Sequence, residues 1–189
     1  MRLGDGSFQY EVVPNWEKLP DEYRWDEVGG VGVDSKDNVY VFNRGPHPMI
    51  VFDKDGNFLT SWGEDFFIRA HGLTVGPDDI LYCTDDADHT VRKCTTEGEV
   101  LMTIGVPKTP SPYQSAKPFN RCTHVALDPE TQDIYVSMDM EIQVSINLQQ
   151  KVNIYFLGVV QVLIRGNLIF HIILLQIKMD WFMLLIEKT

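Results

Sequence analysis

A 42-residue repeat limits what this chain can fold into more than any other feature of its sequence. Val31-Gly-Val-Asp-Ser-Lys-Asp-Asn-Val-Tyr40-Val41 aligns with Leu73-Thr-Val-Gly-Pro-Asp-Asp-Ile-Leu-Tyr82-Cys83, and again with Val125-Ala-Leu-Asp-Pro-Glu-Thr-Gln-Asp-Ile-Tyr135-Val136. Each copy is a short alternating run, a polar turn and a second run carrying Tyr. A second half-unit keeps the register, Ile50-Val51-Phe52 through Gly56 to Trp62-Gly63 matching Val91-Arg92-Lys93-Cys94 through Gly98 to Ile104-Gly105. Tyr40 to Tyr82, Gly56 to Gly98 and Gly63 to Gly105 are each 42 residues apart. Four short strands per unit, joined by Asp-Gly or Glu-Gly hairpins at such a period, are what a β-propeller blade requires. A β-sandwich also has short strands, but it does not repeat strand for strand at one period.

The alternation predicts strands near residues 32–34, 39–43, 49–52, 58–62, 73–75, 80–84, 90–93, 99–104, 125–127 and 134–137, with no long helix among them. The third copy is displaced by a Pro-rich stretch from Pro107 to Pro118, read as an inserted loop. The fold class expected is all-β: about three blades, where a closed ring of this kind needs about six.

Composition divides the chain near residue 138. Its 189 residues would suit one ordinary domain, and 16 basic against 27 acidic residues leave a net charge of -11. From Asp139 onward four acids cancel four bases, so the whole imbalance lies upstream, as do all ten prolines. Residues 1–138 read as the partial propeller and 139–189 as an apolar tail that is no native domain. The acidic balance excludes nucleic acid as a partner, because phosphate contacts need clustered Lys and Arg. No apolar run follows Met1-Arg2-Leu3-Gly4-Asp5-Gly6, so a cytoplasmic setting is the expectation. Cys83, Cys94 and Cys122 are too few and too scattered for a disulfide framework, and Cys83 and Cys94 read as free, half-buried small hydrophobes.

The tail admits three readings. Residues 154–164 and 168–177 are nearly continuous apolar runs, but each is about half of the roughly 20 residues a spanning helix needs, and Gln161, Arg165, His171, Gln176 and Lys178 break them. No membrane span is therefore expected. A buried strand or helix pair would lack the turns and prolines of everything upstream. The third reading is a lost nucleotide near the Ser137 codon. Because Met and Trp have single codons, shifting the frame forces Gly from Met138-Asp139, from Met140-Glu141 and from Met179-Asp180. It permits V-S-D-G-Y-G-N after Tyr135, L-F-S-W-G at residues 154–158 and a Leu-Pro-His within residues 166–173. Forced glycines at blade turns favour a frameshifted, non-native tail.

The pattern x-x-V-D-x-x-D-x-V-Y-V followed by V-x-x-F-x-x-x-G-x-F-L-x-x-W-G resembles NHL repeats, which build six-bladed propellers. More narrowly, Val41-Phe42-Asn43-Arg44-Gly45-Pro46-His47-Pro48 and Ala70-His71-Gly72-Leu73-Thr74-Val75 resemble the peptidyl-α-hydroxyglycine α-amidating lyases (peptidylamidoglycolate lyases) and their bacterial relatives, over roughly residues 8 to 138. That resemblance implies zinc held by histidines from several blades. It also implies an Arg and a Tyr flanking the hydroxylated carbon of a peptide substrate, and cleavage of the N–C bond to an amide and glyoxylate. His71 stands in the matching H-G-L motif as the implied zinc ligand, and Arg44 in F-x-R-G-x-H as the implied catalytic residue, its fork suited to a carboxylate. His47 and His89 read as structural residues and His124 as a surface or loop residue. The implied Tyr and a second zinc His fall out of frame beyond Ser137, so the chain as written is expected to be inactive. The other class compatible with the same fold is a noncatalytic NHL scaffold that binds a protein or small ligand. The sequence does not set the oligomeric state.

Overall fold

The computed structural model describes the backbone of residues 2–112, 119–138, 144–149, 151–156, 159–164, 168–177 and 180–188, with side chains for 5–112 and 119–138. The Tyr of the restored V-S-D-G-Y, the out-of-frame Leu-Pro-His and the middle of the Pro-rich loop lie outside the described side chains.

A short hairpin, β1 (Arg2–Asp5) and β2 (Phe8–Glu11), precedes the repeats. The first unit is a four-stranded antiparallel sheet in sequence order, β3 (Val28–Val33), β4 (Val39–Asn43), β5 (Met49–Phe52) and β6 (Phe58–Trp62). The second repeats it with β7 (Ala70–Val75), β8 (Leu81–Asp85), β9 (Thr90–Cys94) and β10 (Val100–Ile104). A third begins with the hairpin β11 (Cys122–Leu127) and β12 (Ile134–Met138). One 3-10 turn, Pro77–Asp79, is the whole helical content of the described residues, as the period required. The inner strands β3, β7 and β11 start three or four residues earlier than the hydrophobic alternation suggests, because a register shift near the start of each breaks the alternation there.

Alternation sets the layers. Along β4, Tyr40 and Phe42 face the second unit while Val39 and Val41 face away; along β5, Met49 and Val51 oppose Ile50 and Phe52. The first set joins Ala70, Leu73, Leu81, Cys83 and Cys94 in a core between units one and two. Val91, Phe119, Cys122, Val125 and Val136 build the corresponding core between units two and three. Each fully buried Val, Leu, Ile, Met or Phe among them contributes roughly 1.5–3 kcal/mol. Cys83, Cys94 and Cys122 are free and fully buried, so the half-buried expectation is corrected: all three fill inter-sheet cores.

The hairpin turns repeat down to single hydrogen bonds. Asp34 accepts the amide protons of Lys36 and Asn38, Asp53 those of Asp55 and Asn57, and Thr95 Oγ1 those of Glu97 and Glu99. At the fourth turn residue Gly56 and Gly98 take φ of 76° and 89°, the left-handed geometry of a three-residue hairpin loop. The outward face of the first sheet is not bare: Trp16, Leu19, Tyr23 and Trp25 pack on Val41, Ile50 and Phe52, and Lys18 forms a parallel bridge with Asn57.

The tail contains β13 (Val144–Gln149) paired with β14 (Lys151–Phe156), and β15 (Val159–Ile164), β16 (Leu168–Ile177) and β17 (Asp180–Lys188) in a second antiparallel sheet. Among the described residues no helix is long and apolar enough to cross a membrane.

Candidate active site

Each inner hairpin carries a bulge at the same place: the register slips between Val28 and Gly30, between Ala70 and Gly72, and between Cys122 and His124. The extra residues are Gly29, His71 and Thr123. A bulge re-aims the side chain it carries, so the fold turns His71 out of the strand's ordinary alternation. Its Nδ1 lies 3.0 Å from the Thr123 carbonyl of the next unit. A carbonyl only accepts, so Nδ1 carries a proton, which leaves Nε2 as the ring nitrogen not engaged by this contact. The Thr123 carbonyl also accepts the Thr84 hydroxyl at 2.8 Å, and that oxygen accepts the Gly72 amide at 2.7 Å. His71 is thus fixed by an array that spans two units, a device metal-ligating and basic histidines share.

Arg44 leaves the end of β4 and crosses the other boundary. Its Nε donates to the Ala70 carbonyl at 2.9 Å, one residue before His71, and its Nη1 pairs with Glu27 at 2.6 Å. Both residues are therefore anchored at the entry of β7 by a side-chain nitrogen bonded to the next unit's carbonyl. Glu27 is 70% exposed, which makes this pair worth about 1 kcal/mol or less and open to exchange for another carboxylate.

His124 sits on strand β11 rather than in a loop. It is exposed at the surface, as expected, while its ring packs against Gly72. Burial, with His71 adding to it, pushes its pKa below the ordinary imidazole value. His47 is held by Glu64 at 3.0 Å and stacks on Tyr23 with ring centroids 4.3 Å apart, a structural setting. His89 accepts the Arg121 amide at Nδ1, and burial lowers its pKa as well. A groove of about 240 Å³ lined by Asp34, Lys36, Tyr40, Thr60 and Glu97 lies at the opposite end of β4 from Arg44 and touches none of these groups. Thr84, Thr123 and Glu27 escaped the sequence reading. The repeat alignment of Leu73 with Val125 makes Thr123 the counterpart of His71, but their contact follows only from the structure.

A protein zinc site needs three or four ligands in tetrahedral array. Among the described residues no three His, Cys, Asp or Glu side chains gather in such a group, so these residues do not by themselves fit zinc.

The architecture is that of a β-propeller. The crystal structure of virginiamycin B lyase from Staphylococcus aureus superposes with a TM-score of 0.56 at 14% identity, over 82% of this chain and 54% of that one. In sequence the chain is similar to the amidating enzymes. It is 30% identical over 137 residues to peptidyl-glycine alpha-amidating monooxygenase B of Xenopus laevis, a match that takes in 59% of this chain and 15% of that protein. It is 27% identical over 173 residues to the rat peptidylglycine alpha-amidating monooxygenase, 69% of this chain and 17% of the other. Peptidyl-alpha-hydroxyglycine alpha-amidating lyase 1 of Drosophila melanogaster is 36% identical over 75 residues, 38% of this chain and 13% of that protein. No protein-family model matches. The chain spans about one sixth of the length of the curated monooxygenases it matches.

Proposed function

We propose that this chain is about three blades of a six-bladed, lyase-like NHL propeller whose intact form cleaves peptidyl-α-hydroxyglycine to a peptide amide and glyoxylate. The observation that carries the reading is the convergence of Arg44 and His71 on the entry of β7, each bonded across a blade boundary. In the reaction the substrate hydroxyl loses its proton, its oxygen becomes the aldehyde of glyoxylate, the N–C bond breaks and the nitrogen takes up a proton. Arg44 binds the substrate carboxylate by exchanging it for Glu27, which places the hydroxylated carbon near the β7 entry. His71 remains the candidate ligand through Nε2, and any metal set it joins requires residues beyond those described.

The second part of the reading is that residues from about 138 onward are translated out of frame, leaving this polypeptide inactive. A frame-corrected protein tests both parts. It should hold stoichiometric zinc that His71→Ala removes, and release glyoxylate at a rate that falls at least about a hundredfold in Arg44→Ala, the range for losing a charge-positioning group. Peptide binding with no glyoxylate release and no zinc would put the scaffold reading in its place. Finding that no one-base change at the locus restores the blade pattern would remove the frameshift.

A further inference from the structure

The residue three positions after each strand tyrosine is Asn43, Asp85 or Met138, and it pairs with the first residue of its inner strand every time: Val28 with Asn43, Ala70 with Asp85, Cys122 with Met138. In the first two units this side chain is fully buried and accepts backbone protons from the segment that leads into the inner strand. Asn43 Oδ1 takes the Asp26 amide at 3.1 Å, and its Nδ2 reaches the carbonyls of Arg24 and His47. Asp85 accepts the amides of Ile68 and Arg69, and on its other side those of Ala87 and Asp88. The segments tied down in this way carry Glu27 and Arg44 in the first unit and the Arg69–Asp86 ion pair in the second.

In the third unit the amide that needs an acceptor is still present. Asn120 N lies 3.2 Å from Met138 Sδ. A thioether is a weak acceptor, and it meets the half-buried Asn120 from within the core, Met138 being 6% exposed. We propose that positions 43, 85 and 138 are one repeated latch that fixes the rim segment of each blade, and that position 138 in this chain is a latch position holding the wrong side chain. An acid or amide there would take the Asn120 proton as Asp85 and Asn43 take theirs. The inference stands whether or not the propeller is catalytic.

The proposal makes an unusual demand on a substitution. Met138 packs in the core with Phe119, Cys122 and Val136, where burying a carboxylate is ordinarily destabilising. Met138→Asp and Met138→Asn in the 189-residue chain are expected to raise the soluble, protease-resistant fraction and to slow exchange of the Asn120 amide about tenfold, the equivalent of one hydrogen bond. Met138→Leu, of similar volume with no acceptor, should change neither. A lower resistant fraction in both Met138→Asp and Met138→Asn, or an equal gain in Met138→Leu, would overturn the latch. Exchange at Asn120 is a local reading, so it decides the matter even where global unfolding is not cooperative, and none of these measurements depends on zinc or turnover.

Discussion

Asp88 and Arg92 form an enclosed ion pair, 2.6 Å apart with side chains 1% and 8% exposed. Asp88 also accepts the Thr90 hydroxyl and the Lys108 amide, and the Arg92 guanidinium lies 5.5 Å from the Phe66 ring centroid. Asp88→Ala leaves a buried cation unpaired, so it should lower stability of a frame-corrected protein by about 3–5 kcal/mol in urea unfolding. The histidines give a pH dependence of definite sign. Burial holds His89 and His124 below their ordinary pKa, so the unfolded chain binds the extra protons. Their contribution is complete above the unfolded value of about 6.5 and is lost as pH falls through the lowered folded values. His124→Gln should flatten that part of the stability profile. Asp34 acts at lower pH: burial pushes its pKa up, but bonds from Asn38, Lys36 and Tyr40 outweigh this and hold it below the ordinary value. Its contribution is present above the unfolded carboxylate pKa and disappears as pH drops through the folded one.

At the scale of strands, the boundary between second and third units depends on close backbone approach. A Cβ at Gly72 would overlap the Thr123 carbonyl oxygen and crowd His124 Nδ1 and Thr84 Oγ1. Gly72→Ala should therefore separate β7 from β11, break the His71–Thr123 bond and destabilise by about 1–3 kcal/mol, seen as loss of the Nδ1-protonated His71 signal in nitrogen NMR. The strands themselves were legible because a short apolar run between polar turns marks a strand buried on both faces: Tyr40, Val41 and Phe42, all buried, announce β4 without any tertiary information. The inner-strand bulges were not, since Gly29, His71 and Thr123 share no side-chain chemistry and the extra residue shows only in the pairing. The segment from Trp16 to Trp25 was also missed. Its aromatic residues follow neither a helical nor a strand period, because they cover a sheet face as an irregular strap.

Taken whole, the 189-residue chain joins two four-stranded units and the hairpin of a third to a tail with other residue usage. Val28, Val31 and Val33 of β3 are exposed at 49%, 57% and 51%, although the strand's glycines lie against β7. Made as written, the chain is expected to aggregate or fold in part and to release no glyoxylate from an α-hydroxyglycine peptide. A soluble monomer that unfolds cooperatively and turns over that substrate would refute this. The aromatic strap bears on a different hazard. Blades stack through complementary faces, so an incomplete arc with both ends open could add copies of itself without limit. Trp16, Leu19, Tyr23 and Trp25 cover the outward face of β4 and β5, so a second copy cannot stack on that face as one unit stacks on the next. Head-to-tail addition through that face is therefore blocked, which removes the open-ended route to a fibre.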